Sequence, residues 1–95
     1  MSDWGSEEEI ERRNRIRLTF AAYAYEFENH SIMTDDEFDA LSRKIRPEMS
    51  TGKKVLDDFF RLEFEPDTGM WIRKHPFINT IRNRYHWYIE RGLFK

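Results

Sequence analysis

Apolar positions along the chain recur with a helical period over most of its length and change period once. Ile16, Phe20, Tyr23 and Phe27 fall at steps of three and four, with Ala24 as a close-packing position beside them. Leu18, Ala21, Ala22 and Tyr25 form a flanking face. A long first helix is expected over about residues 7–28, capped by Ser6, with Glu7, Glu8 and Glu9 against its positive end. Phe38, Leu41 and Ile45 make a second stripe at i, i+3 and i+7. Thr34 and Glu37 ahead of it have the spacing of a capping box, which predicts a second helix over residues 35–45. Arg46-Pro47 ends it, because the residue before a proline avoids the α region. Ser50 or Thr51 is expected to cap a third helix carrying Val55, Leu56, Phe59 and Phe60.

The period changes over residues 62–74. LEFE and MWIR alternate on either side of Pro66-Asp67-Thr68-Gly69, a turn sequence with its glycine last, which predicts a two-stranded hairpin. Leu62, Phe64, Met70 and Ile72 would face the core, and Trp71 would be the exposed ring or exchange faces with Met70. The last helix opens near Pro76 and stops at Gly92, with Phe77, Ile78, Ile81, Tyr85, Tyr88 and Ile89 as its stripe. The expectation is a mainly α fold, a small helical domain of about four helices with one short β-hairpin. Residues 1–95 form one domain, with residues 1–6 as a loose tail.

Composition changes this picture in two respects. Phe 8, Tyr 4 and Trp 3 in 95 residues mean a core built on rings, and argue against disorder over most of the chain. The absence of cysteine excludes a disulfide framework, a thiolate metal site and a cysteine nucleophile, and fits a reducing cytoplasm. The first residues have no basic region followed by an apolar one, so no secretory signal is expected. No apolar run approaches the length of a membrane span.

Charge is distributed unevenly. Residues 1–69 carry 10 Lys and Arg against 17 Asp and Glu, a net of −7, whereas residues 70–95 carry 6 against 1, a net of +5. Arg12, Arg13, Arg15 and Arg17 with Glu7, Glu8, Glu9 and Glu11 read as a solvated, salt-bridged surface. Asp35, Asp36 and Asp39 crowd the start of the second helix. Asp35 and Asp36 suit the cap alone, but Asp39 lies one turn further in. Three aspartates can hold a divalent cation, although the glycine and terminal glutamate of a calcium loop are absent. The STGKK segment at residues 50–54 has one of the two glycines that a phosphate loop needs. His30, His75 and His86 have no serine at a telling spacing.

Tyr23-Ala24-Tyr25, then nine residues, then Asp35-Asp36-Glu37-Phe38-Asp39-Ala40-Leu41 resembles the small N-terminal helical domain of NAD-dependent DNA ligases, domain Ia. In that family a helix ending in Tyr-x-Tyr-His precedes an Asp-x-Glu-Tyr-Asp-x-Leu helix start. The domain grips the nicotinamide mononucleotide (NMN) half of NAD while a separate domain performs the adenylation. The resemblance spans about residues 15–46. It implies that Tyr25 stacks on the nicotinamide ring and that Asp35 and Asp39 contact the ribose and amide side. Phe38 stands where the family has a second stacking tyrosine, so the ring is kept and its hydroxyl lost. Glu26 stands where the family has a histidine, and a carboxylate there is expected to repel the nucleotide phosphate. The family's adenylated-lysine motif, Lys-x-Asp-Gly, is absent, so the chain is not a ligase by itself.

The resemblance therefore implies a non-catalytic binding module that retains weak affinity for NMN or NAD, or that serves a partner adenylation domain. A second signal lies in Arg73, Lys74, Arg82, Arg84, His86, Trp87, Arg91 and Lys95. Arginines beside exposed rings dominate protein interfaces. Trp71, Arg82, Arg84, Trp87 and Arg91 would then dock a partner, as in small viral or mobile-element proteins that regulate a host protein. The same set, within residues 73–95, suits an accessory nucleic-acid binder using phosphate contacts and base stacking. A third role for it is to neutralise the acidic body of the same molecule.

Overall fold

In a computed structural model of the chain, described over residues 6–66 and 68–93, the fold is mainly helical. Among the described residues it comprises α1 (Glu7–Phe27), α2 (Asp35–Lys44), α3 (Lys54–Glu63), a 3-10 helix (Met70–Lys74) and α4 (Ile78–Glu90). Helix α1 is the organising element and packs against α2, α4 and the 3-10 helix. Its alanines make this approach feasible: Ala21, Ala22 and Ala24 are buried, as are Leu18 and Tyr23. Ser6 caps α1 by accepting the Glu9 N–H; the rest of the expected tail lies outside the described residues.

Local signals set the element ends. Thr34 and Glu37 form the reciprocal capping box of α2. Helix α4 ends in the left-handed turn that glycine favours, at Gly92 (φ 70°). There Gly92 N–H bonds the Ile89 carbonyl and Leu93 N–H that of Tyr88, the pattern of a Schellman stop. Asn29, in the same backbone region (φ 52°), ends α1 and turns the chain toward α2.

The described residues contain no strand, and the segment expected to form a hairpin is built differently. Leu62 and Glu63 complete α3, residues 70–74 form the 3-10 helix, and Asp67 of the expected turn lies outside the described residues. The reason is aromatic packing. Trp71 is 3% exposed, with its ring centroid 5.4 Å from Phe60, 5.3 Å from Phe64 and 6.0 Å from Phe59. A helical turn buries Trp71 and the adjacent Ile72 together, whereas a strand would send them to opposite faces. Leu62 and Met70, expected in the core, are exposed.

The arginine-glutamate surface expected on α1 is partly a buried network. Glu11 is 1% exposed and Arg15 4%. Arg15 donates from Nε to Glu11 (2.7 Å), from Nη1 to Asp57 on α3 (2.8 Å), and from Nη2 to the carbonyls of Arg46 and Met49. Glu11 also accepts the Arg46 N–H. Neither Ser50 nor Thr51 caps α3, whose N-cap is Lys53. Thr51 is buried and donates its N–H and hydroxyl to Asp57. The network thus ties the 46–51 loop and α3 onto α1.

Candidate ligand cleft between the first two helices

Tyr25, Asp35, Phe38 and Asp39 line one cleft of about 380 Å³. Its walls follow from helical geometry. Ala21 and Tyr25 are four apart on α1, and Asp35, Phe38 and Asp39 stand at i, i+3 and i+4 on α2, so each set shares a face. Ala21 is small and leaves space in the cleft that Tyr25 and Phe38 also line. The 31–33 loop closes one end, and Thr68 and Gly69, just ahead of the 3-10 helix, close another. Gly69 comes close to both walls: a Cβ there would lie 3.5 Å from Ala22 and from Phe38.

The four residues differ in how much the fold uses them. Phe38 is half-buried and packs against the core. Tyr25 is 60% exposed, and no hydrogen bond or ring contact from a described residue reaches it. Asp35 and Asp39 are exposed and likewise accept no hydrogen bond or ion pair among the described residues. By contrast Glu37, on the same helix start, is held below the usual carboxylate range by the Thr34 N–H and hydroxyl.

Glu26, whose carboxylate was expected to oppose a phosphate, also lines the cleft. It is not isolated: Arg73 binds it from Nη2 at 3.0 Å and from Nε at 3.1 Å. The Arg73 guanidinium in addition lies 5.2 Å from the centroid of the Phe27 ring. Sequence reasoning did not anticipate Arg73 beside the cleft, since 47 residues separate it from Glu26. No described group of three or more His, Cys, Asp or Glu residues is arranged to hold a metal ion.

The second set of candidates divides. Trp71 is a core ring and is not available to a partner. Arg84, Trp87 and Arg91 recur along one face of α4 and its end, where Trp87 is 46% exposed and Arg91 stacks on it at 3.9 Å. Arg84 and Trp87 line a shallow groove with Thr80, Asn83 and Tyr88. Arg82 stands apart, bonded to Asn79 and next to the Tyr23 hydroxyl. Burial, and a 2.6 Å bond from that hydroxyl to Glu28, raise the Tyr23 pKa. Arg73 and Lys74 pair with Glu26 and Glu63, so part of the basic C-terminal third neutralises the acidic body, and His86 Nε2 lies 3.3 Å from the Glu28 carboxylate. Lys95 lies outside the described residues.

No described helix is long and apolar enough to cross a membrane. No family model matches the chain, and neither a curated protein nor a solved structure shows significant similarity to it.

Proposed function

We propose that the chain is a non-catalytic binding module, similar in role to ligase domain Ia, whose α1–α2 cleft takes the nicotinamide nucleotide half of NAD. The observation that carries this reading is the convergence of Tyr25, Asp35, Phe38 and Asp39 on one cleft, with Tyr25, Asp35 and Asp39 uncommitted to the fold. Exposed tyrosine faces stack on heteroaromatic rings, and carboxylates accept hydrogen bonds from ribose hydroxyls and a carboxamide. The test is a two-dimensional NMR titration of the labelled protein with NMN and NAD. Shifts clustered at Tyr25, Phe38 and Asp39 below about 1 mM, or −4 kcal/mol, support the reading. A silent spectrum to several times that concentration refutes it.

A second reading has its own support in Trp87, which stays half exposed with a guanidinium stacked on its face and Arg84 on the same groove. This is the side-chain chemistry of a protein-docking hot spot, and it suits a small regulator of another protein, of the viral or mobile-element kind. Nucleic-acid binding ranks lower, because three of the basic groups face carboxylates of the same chain. Loss of partner binding on Trp87→Ala with little response to salt separates docking from nucleic-acid contact, which weakens steeply as salt rises.

A further inference from the structure

The charge of the α1–α2 cleft discriminates among nicotinamide ligands, an inference that rests on the nucleotide-binding reading above. Among the described residues three carboxylates line the cleft, Glu26, Asp35 and Asp39, and no lysine, arginine or histidine does. Asp36 and Glu37 add negative charge at the same helix start. The N-terminus of α2 is a weak seat for an anion, because its capping box already engages the N–H groups of Thr34 and Glu37. Arg73, the cation beside Glu26, is held by that carboxylate and by the Phe27 ring. Meanwhile Tyr25 and Phe38 line the same cleft, and the quadrupole of an aromatic face attracts cations, as the carboxylates do. Both features favour a positive ring and oppose a phosphate.

We infer that the cleft takes a flat aromatic cation without a phosphate, an N-alkylpyridinium such as nicotinamide riboside, in preference to its phosphorylated and its reduced, uncharged forms. In NMN the pyridinium gains the same contacts, but the phosphate is brought near Glu26, Asp35 and Asp39 and gives part of that gain back. A phosphate that captured Arg73 would first have to separate it from Glu26, re-exposing that carboxylate. The reduced ring keeps the stacking and loses the charge.

The experiment titrates the intact protein by NMR with nicotinamide riboside, its dihydro form and NMN. The expected result is that the oxidised riboside binds at least about tenfold more tightly than either competitor. Glu26→Gln should narrow the gap between riboside and NMN by relieving repulsion and freeing Arg73, and Asp39→Asn should weaken the riboside most. NMN binding as tightly as the riboside, or the dihydro form doing so, overturns this inference and leaves the nucleotide-binding reading standing. Silence from NMN to several millimolar overturns that reading itself, and silence from the riboside as well overturns the inference with it.

Discussion

Glu11 and Asp57 lie buried between α1 and α3, whereas Asp35 and Asp39 stand exposed at the cleft between α1 and α2. Each buried carboxylate is surrounded by donors: Glu11 by Arg15 and the Arg46 N–H, Asp57 by Arg15 and both donors of Thr51. Burial by itself would push the Asp57 carboxyl up, but the Thr51 and Arg15 bonds outweigh it and hold the group below the usual aspartate range. Asp35 and Asp39 receive no side-chain hydrogen bond or ion pair from the described residues. A charge withdrawn from water must be paired, so the first pair is committed to holding loop, α1 and α3 together. Charges left in water carry no such obligation and remain free to meet a ligand. Residue type alone does not separate the two uses; burial does.

Asp57 is the buried carboxylate whose loss should cost most. Asp57→Ala leaves Arg15 buried with half its countercharge gone, and should lower stability by about 3–5 kcal/mol. Urea unfolding reads this as a displaced midpoint, and a midpoint near that of the natural chain would show that the buried network does not hold the fold.

Acid should expose a second buried titratable group, one with no countercharge among the described residues. His75 is buried beside Phe59, and its Nδ1 accepts the Phe77 N–H. Burial lowers its pKa to about 4 from 6.5. The unfolded chain therefore takes up a proton below pH 6.5 that the folded chain refuses until about pH 4. The stabilising effect is complete above pH 6.5 and is lost as pH falls toward 4, by about 3 kcal/mol in total. Asp57, held below its ordinary 3.8, loses its contribution only at lower pH, so the two are separable. In His75→Gln the slope of stability against pH between 6.5 and 4 should flatten; an unchanged slope would assign it to other groups.

Substitutions at the exposed cleft should have smaller effects on stability. Thr34→Ala removes the cap hydroxyl of α2, the helix that carries Asp35, Phe38 and Asp39, and should destabilise by about 1 kcal/mol. Amide exchange should then rise in the first turn of α2 ahead of the other helices. Smallest of all, Tyr25→Ala and Asp39→Asn should each change unfolding stability by less than about 0.5 kcal/mol while abolishing or weakening the ligand-induced NMR shifts. A large stability loss in either would mean that the fold, rather than a ligand, requires the side chain.

Much of the cleft was legible along the chain because its parts are local. The Thr34–Glu37 box starts α2 at a defined residue, and that start puts Asp35, Phe38 and Asp39 on one face. Tyr25 falls off the main apolar stripe of α1 and is correspondingly exposed. Arg73 was not legible as a neighbour of Glu26, nor was the closure of the cleft by Thr68 and Gly69, since both depend on how residues 64–74 return to α1. Ile16 and Phe27, counted on the main stripe, are also exposed, while Glu11 and Arg15 beside them in sequence are buried. A stripe of hydrophobic spacing cannot register that a guanidinium, once paired on two sides and bonded to two carbonyls, packs as well as a leucine.

Local sequence is enough to specify the helical character, the starts of α1 and α2, the stop of α4 at Gly92 and the shared face of the α2 carboxylates. Each of these rests on interactions within about four residues, so the chain carries them before it folds. Long-range packing is what makes residues 70–74 coil, puts Trp71 in the core, lets Glu11 and Asp57 share Arg15, and brings the α1 and α2 faces together across a cleft. Those outcomes turn on which distant groups arrive to exclude water, and the alternation of LEFE and MWIR is compatible with either local geometry until Phe59, Phe60 and Phe64 close around the indole.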